Sequence, residues 1–326
     1  MLNKNLYTTI LCQAFSPCGN YLIAGNTYNE IAVFDLRKPE ESHVNQKGKP
    51  KYLHSIDNSC QICSLASTAN FLIIGTERQI FGYDWKAILS DRIGKCYWAI
   101  NVSETNSSHE QFDVNSLWLP PSEDRVYVGC GDNCVYSFDL EGGQRVHKFE
   151  GHKDYFHCML RNNKIYDNQL ISAGEDGLVY TWDIRQAKQC NYVEPYKNSS
   201  VARPELGKWV GAATLGSDWF VCGGGPRAAL WHLRTLDVTT IFDISDRGIH
   251  VALFDDDTVI LGGAAKHLYQ MSFAGKLCIE MPVTATTTYS VLRRSKPNIL
   301  MTAAGSSPYI DISFTFHYND GVLNFR

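Results

Sequence analysis

His152, Asp154 and His157 fall within six residues of one another, a grouping from which acid–base or metal chemistry can be built. The residues after them point to a structural use. An apolar segment, a tight turn at Glu175-Asp176-Gly177 and a second strand ending at Trp182-Asp183 complete the stretch Gly151–Arg185. His152 can then hydrogen-bond Asp176 in the hairpin turn, and Ser172 and Trp182 on the two hairpin strands can extend the chain of bonds. Such a network satisfies buried polar groups and performs no reaction. It claims His152, and His157 falls on the strand beyond. Cys60-Gln61-Ile62-Cys63 has redox or zinc spacing, but the nearest further cysteines, Cys130 and Cys134, are wrongly spaced to complete a site. Gly223-Gly224-Gly225-Pro226 invites a phosphate-loop reading, yet a strand at 228–233 comes next instead of a Gly-Lys-Ser and a helix, so a hairpin turn is expected. Asp255-Asp256-Asp257 reads as a solvated turn between strands. The chain has no G-x-S-x-G elbow and no paired carboxylates in a plausible cleft. No catalytic residue, cofactor or metal is expected.

The elements that would carry these residues repeat. Gly25, Gly75, Gly129, Gly174, Gly223, Gly262 and Gly305 each follow a short apolar strand, and serve as a ruler along the chain. Eight or nine residues on, the chain reads Phe34-Asp35, Tyr83-Asp84, Phe138-Asp139, Trp182-Asp183 and Trp231-His232, decaying to Met271-Ser272 and Ser313-Phe314. A Gly-His pair, a hairpin turn and a Trp-Asp pair are the marks of a WD40 repeat, one four-stranded blade of a β-propeller. Seven copies in 326 residues is about 47 per copy, near the roughly 40–45 of such repeats. The sequence therefore predicts an all-β fold, a single-domain seven-bladed WD40 β-propeller, with blades over 10–56, 60–101, 113–150, 152–196, 208–244, 248–283 and 286–326. Strands such as IAVFDL and VALF are apolar on both faces, as sheets covered on both sides require. A short helix is expected near Trp85–Leu89, a polar loop over 37–51 and an insertion over 101–112. The outermost strand of the last blade is expected from Val322–Phe325 or from residues before Tyr7.

Composition excludes several roles. The net charge of −4 argues against a protein that neutralises many phosphates by itself. The loop at 37–51 carries five Lys/Arg diluted by Glu40 and Glu41, with no interleaved aromatics. Eleven scattered cysteines and an N-terminal stretch unlike an export signal predict reduced thiols in an intracellular compartment. No apolar run approaches the ~20 residues that span a bilayer, so no membrane association is expected.

Two resemblances reach beyond the fold. Trp182-Asp183-Ile184-Arg185 is similar to the W-D-x-R box of propellers that serve as substrate receptors of cullin-RING ubiquitin ligases, in which Arg185 would contact an adaptor. A more extensive match runs through Arg203-Pro204, Gly207-Lys208-Trp209-Val210-Gly211, Ser217–Pro226, Leu230–Arg234 and Thr239–Phe242. It continues in Phe15–Gly19, Gly151–Tyr155, Ser172–Gly177 and Thr302–Gly305. On these residues the chain resembles the WD40-subunit family of the THO complex. The resemblance implies a nuclear, non-catalytic scaffold of the THO part of the transcription–export assembly. It would couple transcription and mRNA processing to mRNA export within a multimeric complex. Its partners would be the other THO subunits, notably the coiled-coil fifth and seventh, with RNA contacted only indirectly.

Overall fold

The computed structural model describes residues 7–37, 48–56, 60–102, 112–160, 168–244 and 247–326. Among them the chain is all-β of the β-propeller class: seven four-stranded blades, each built from consecutive strands. Two compact units hold the blades, Met1–Asn106 with Glu280–Arg326, and Ser107–Ile279. Blades one, two and seven lie in the first. They are Ile10–Phe15, Tyr21–Asn26, Glu30–Asp35 and Tyr52–Ser55; Ser64–Ser67, Phe71–Gly75, Gln79–Asp84 and Trp98–Asn101; and Thr288–Arg294, Leu300–Gly305, Tyr309–Ser313 and Gly321–Asn324. Blades three to six have inner strands Val114–Trp118, Phe156–Leu160, Val210–Leu215 and Ile249–Asp255. A helix at Trp85–Ile88 follows blade two's third strand, capped by the Asp84 side chain on Lys86 N at 2.5 Å. No helix of the described residues is long and apolar enough to cross a membrane. Most of the 37–51 loop (38–47), most of the 101–112 insertion (103–111) and the six residues before Tyr7 lie outside the described residues.

Blade one shows why alternation is absent from the strands. Ile31 and Val33 join a core with Ile62, Leu72 and Ile74 of blade two, while Ala32 and Phe34 join one with Leu300, Ile310 and Ile312 of blade seven. Successive side chains of a strand point to opposite faces, and here both faces meet another blade. Blade five repeats the pattern in the other unit. Phe220, Cys222 and Trp231 pack with Ile171 and Ala173 of blade four, while Val221 and Leu230 pack with Val259 and Leu261 of blade six.

The pairing registers refine the glycine ruler. Six inner strands carry a bulge near their start, and the residue facing it is Asn26, Cys130, Gly174, Gly224, Gly263 or Gly305. The ruler glycine coincides with that position only in blades four and seven; in blades one, three, five and six it stands one residue earlier. The earlier glycine serves packing in at least two cases. A methyl on Gly25 would stand 2.5 Å from Ile62, and one on Gly129 would stand 2.1 Å from the Phe156 ring. Each makes room for the next blade's inner strand or the segment leading to it.

Gly321–Asn324 forms the outermost strand of blade seven, paired along Tyr309–Ile312. Gly48 adds a parallel bridge to its free edge, donating to Val322 O (3.3 Å) and accepting from Asn324 N (2.8 Å). Arg326 forms an ion pair with Glu30 of blade one, and Phe325 is fully buried among the blade one and blade seven side chains. Phe325→Ala is therefore expected to cost about 3–5 kcal/mol in urea unfolding, with Phe325→Leu much milder. Equal stability of Phe325→Ala and wild type would mean that this ring is not part of the core.

Candidate functional site

Blade four places its four polar residues in one buried chain of hydrogen bonds. Trp182 Nε1 donates to Ser172 Oγ (2.8 Å), Ser172 Oγ meets His152 Nε2 (2.8 Å), and His152 Nδ1 meets the Asp176 carboxylate (3.0 Å). Because indole N–H can only donate, Ser172 accepts from Trp182 and is free to donate to Nε2, leaving the Nδ1 proton for Asp176. Backbone N–H groups of Lys153 (2.9 Å) and Leu178 (3.0 Å) complete the carboxylate. Tyr180 stands edge-on to the imidazole at 4.7 Å and donates to Gly151 O. Burial raises the Asp176 pKa, but the His152 hydrogen bond and the two backbone donors outweigh it and hold the carboxyl below its usual range. The Ser–His–Asp order is that of a hydrolase triad, but here the hydroxyl is fully buried under the indole. No substrate carbonyl can reach it, and the assembly serves the fold.

The remaining chemistry-bearing residues do not converge. His157 bonds Glu175 (2.8 Å) and stays apart from His152, while exposed Asp154 accepts from Tyr155 N (2.9 Å). Cys60 contacts Glu77 and Cys63 contacts the Gln61 carbonyl, and among the described residues no three metal-ligating side chains cluster. Asp255 is not solvated: it is buried and accepts from Gln270 Nε2 (3.0 Å), while Asp257 is exposed. Arg185 is exposed and folds back on Asp183 through two bonds of 3.0 and 2.6 Å. Those bonds and the adjacent charge hold Asp183 down at about 2. The same two-residue clamp joins Arg37 to Asp35 at Phe34-Asp35-Leu36-Arg37, which lacks the tryptophan. The geometry of Arg185 is thus a property of the Asp-x-Arg spacing at a strand end.

The least repeat-like stretch builds a platform instead. Arg203, 4% exposed, sends Nε to Gly225 O (2.7 Å) and a terminal nitrogen to Gly224 O (3.1 Å), Pro226 O (3.3 Å) and Arg247 O (3.2 Å). The triple-glycine loop turns carbonyls inward around a cation, the reverse of a phosphate loop, whose amides face an anion. Trp209 is tied to the same loop, its O accepting from Gly225 N (2.8 Å) and its Nε1 donating to Leu206 O (2.9 Å). Methyl groups on Gly211 and Gly248 would stand 2.6 and 2.7 Å from the indole, so both positions must be bare for the ring to lie flat. His250 stacks on it at 5.1 Å and 26°, and His157 meets it at 6.1 Å. Burial, with the nearby His157 charge, lowers His250 to about 4, so it is neutral at physiological pH. The result is a fixed, half-buried aromatic surface on blades four to six. The glycine run, which reads as a plain turn, conceals this role because its partner is a single arginine twenty residues upstream; an arginine directly before a proline was the available signal.

Trp182→Ala is expected to lower stability by about 3–5 kcal/mol. His152→Ala should cost about 1–3 kcal/mol, because Asp176 and Ser172 lose a buried partner. For Asp176, the lowered folded pKa makes its contribution complete above the unfolded value of ~3.9 and lost as pH falls through the folded value. Urea unfolding should accordingly separate wild type from Asp176→Asn clearly at pH 7, with the gap shrinking below about pH 4. A gap that is independent of pH would mean the Asp176 charge contributes nothing. Arg203→Lys, which keeps the charge but loses the fork, should cost about 2–3 kcal/mol in the same assay.

Comparison with known proteins agrees with this architecture. The family described as WD domain, G-beta repeat matches residues 143–183, the segment holding the whole blade four network. The chain is similar to THO complex subunit 6 of Drosophila melanogaster, 33% identical over 98% of this chain and 90% of the relative. It is likewise similar to THO complex subunit 6 of Homo sapiens, 32% identical over 99% of this chain and 94% of the relative. The THO complex subunit 6 homolog of Danio rerio is 30% identical over 98% of both chains. With this identity sustained from end to end across fly, human and fish relatives, the chain belongs to the THO complex subunit 6 family.

Proposed function

We propose that this chain is a non-catalytic scaffold subunit of a THO complex in the nucleus, coupling transcription and mRNA processing to mRNA export through protein–protein contacts. The relatives that share its whole length are named as subunits of that complex. The observation that carries the reading is the use made of residues 203–250. An arginine buried under loop carbonyls and two bare glycines hold one half-buried tryptophan in place, with the rotamer cost met before binding. Tryptophans so held are the residues on which protein interfaces concentrate their affinity. In this reading Trp209 faces the elongated coiled-coil subunits, the fifth and seventh, and RNA is reached through them, in keeping with a net charge of −4. The subunit is one member of a multimeric assembly.

Affinity purification of the tagged chain from nuclease-treated nuclear extract, read by mass spectrometry, tests this directly. The other THO subunits should be recovered with wild type. Trp209→Ala should reduce the coiled-coil subunits by about tenfold or more, the loss expected of a hot-spot tryptophan, while melting stays close to wild type. Arg185→Ala should leave recovery unchanged. Recovery of a cullin and its adaptor without THO subunits, lost on Arg185→Ala, would replace this reading with a ubiquitin-ligase receptor.

A further inference from the structure

The inner strand of blade seven, Thr288–Arg294, ends on a guanidinium in an unusual setting. Arg294 is 8% exposed, and among the described residues none of its three guanidinium nitrogens has a hydrogen-bond acceptor. Arg203 is as deeply buried but has four carbonyl contacts. The Phe15 ring, 5.2 Å from the Arg294 carbon Cζ, offers only a π face. Burial pushes the Arg294 pKa down and no carboxylate holds it up, yet an arginine keeps its charge at physiological pH. Water meets the hydrogen bonds of such a group but leaves its charge uncompensated.

The surface around it is basic. Gly19, in the turn after Phe15, packs on the segment beyond Arg294: a methyl on it would stand 2.7 Å from Lys296 O and 2.8 Å from Pro297 Cδ. The same turn leads into Tyr21, whose N donates to Ser16 Oγ (3.0 Å) and whose ring carries Arg37 at 5.4 Å and Lys51 at 5.8 Å. Residues 15–21, 35–37, 48–52, 293–300 and 313–321 form the strand ends and turns at this end of blades one and seven. In them six lysines and arginines stand against two aspartates. Both aspartates are engaged within the chain: Asp35 pairs with Arg37 and Lys51, and Asp320 accepts from Phe314 N (2.6 Å). The chain as a whole carries a net charge of −4, so this end is opposite in sign to the rest.

We propose that this end of blades one and seven docks an acidic protein segment, and that Arg294 is the buried anchor that takes one of its carboxylates. A carboxylate meets a guanidinium through two parallel hydrogen bonds, so one Glu or Asp supplies both the acceptors and the charge that Arg294 lacks. Exposed Arg37, Lys51 and Lys296 hold further carboxylates at the rim, where charges act mainly on encounter rate and salt dependence. Two observations favour protein over nucleic acid. Phe15, Tyr21, Tyr52 and Phe316 each already carry one of the chain's own cations, which leaves few ring faces for bases to stack on. Arg294, at its depth, suits a single carboxylate on a flexible side chain, whereas nucleic-acid phosphates track exposed grooves. Exposed Ile299 and Tyr318 at the same end supply apolar contact for the same segment. The surface shares no residue with the Trp209 platform.

The test measures the fluorescence anisotropy of a labelled oligoglutamate peptide titrated with the full chain, beside an oligouridylate of equal charge. The peptide should bind more tightly than the oligouridylate, and more weakly as salt rises. Arg294→Met should weaken peptide binding by about tenfold or more, with Arg294→Lys intermediate and Lys296→Gln losing only about two- to threefold. Trp209→Ala should leave peptide binding unchanged, so this surface and the Trp209 reading fail separately. Without peptide, Arg294→Met should melt at or above the wild-type temperature, because an unpaired buried cation is removed. A lower melting temperature, or peptide binding equal to wild type, overturns the part given to Arg294. Tighter binding of the oligouridylate, or no binding of the peptide, overturns the acidic-segment proposal, and this comparison needs no variant to fold.

Discussion

Within each compact unit the fold depends on one constraint: in a blade flanked by two others of its unit, the inner and middle strands must be apolar on both faces, because each face meets another blade. In blade one this assigns Ile31 and Val33 to one side and Ala32 and Phe34 to the other. Hydrophobic burial at roughly 25 cal/mol per Å² then acts on nearly every residue of such a strand, not every second one. The polar groups that remain are pushed to strand ends and turns. There they must be satisfied locally, because water does not reach them.

Blade four meets that demand with His152, Ser172, Asp176 and Trp182, and other blades improvise. In blade seven Thr284 and Ser307 stand at the positions of His152 and Asp176, and their hydroxyls meet at 3.3 Å. Asp311 accepts from Thr284 N and Oγ, both at 2.9 Å, and its carboxyl is nevertheless raised by burial. In blade three Asp132 accepts from the Tyr136 hydroxyl at 2.5 Å and is raised by burial as well. Of these three blades, only in blade four do the donors outweigh desolvation. One complete network and two partial ones therefore support the same hairpin geometry with different residues.

The interblade constraint also governs what is legible in the amino-acid sequence. Periodic apolar strands and the aromatic-acid pairs report a demand that acts on every repeat, so seven copies can be read even where the tryptophan has become Met271 or Ser313. The offset of the glycine ruler was not legible, because Gly25 and Gly129 answer to Ile62 and Phe156 of the next blade, outside their own repeats. Buried Asp255 passes for part of a solvated turn for a similar reason. Its acceptor role depends on Gln270, fifteen residues away on the third strand of blade six. The platform at Arg203 and Trp209 was visible only as unusual sequence, since nothing in a glycine run says whether its carbonyls or its amides face inward.

That polarity separates an interaction scaffold from a nucleotide site here. A loop that turns amides inward creates a positive pocket and awaits an anion. The loop at 223–226 turns carbonyls inward and is already filled by Arg203 of the same chain. With its centre occupied, the loop has no ligand to gain; what it gains is rigidity. The rigidity is transmitted to Trp209 through Gly225 N, which donates to Trp209 O at 2.8 Å. The indole, flanked by His250 and backed by bare glycines, is thus fixed from both its backbone and its ring. A partner meeting it need not order it, so the affinity of the encounter goes into contact area and not into immobilising the side chain.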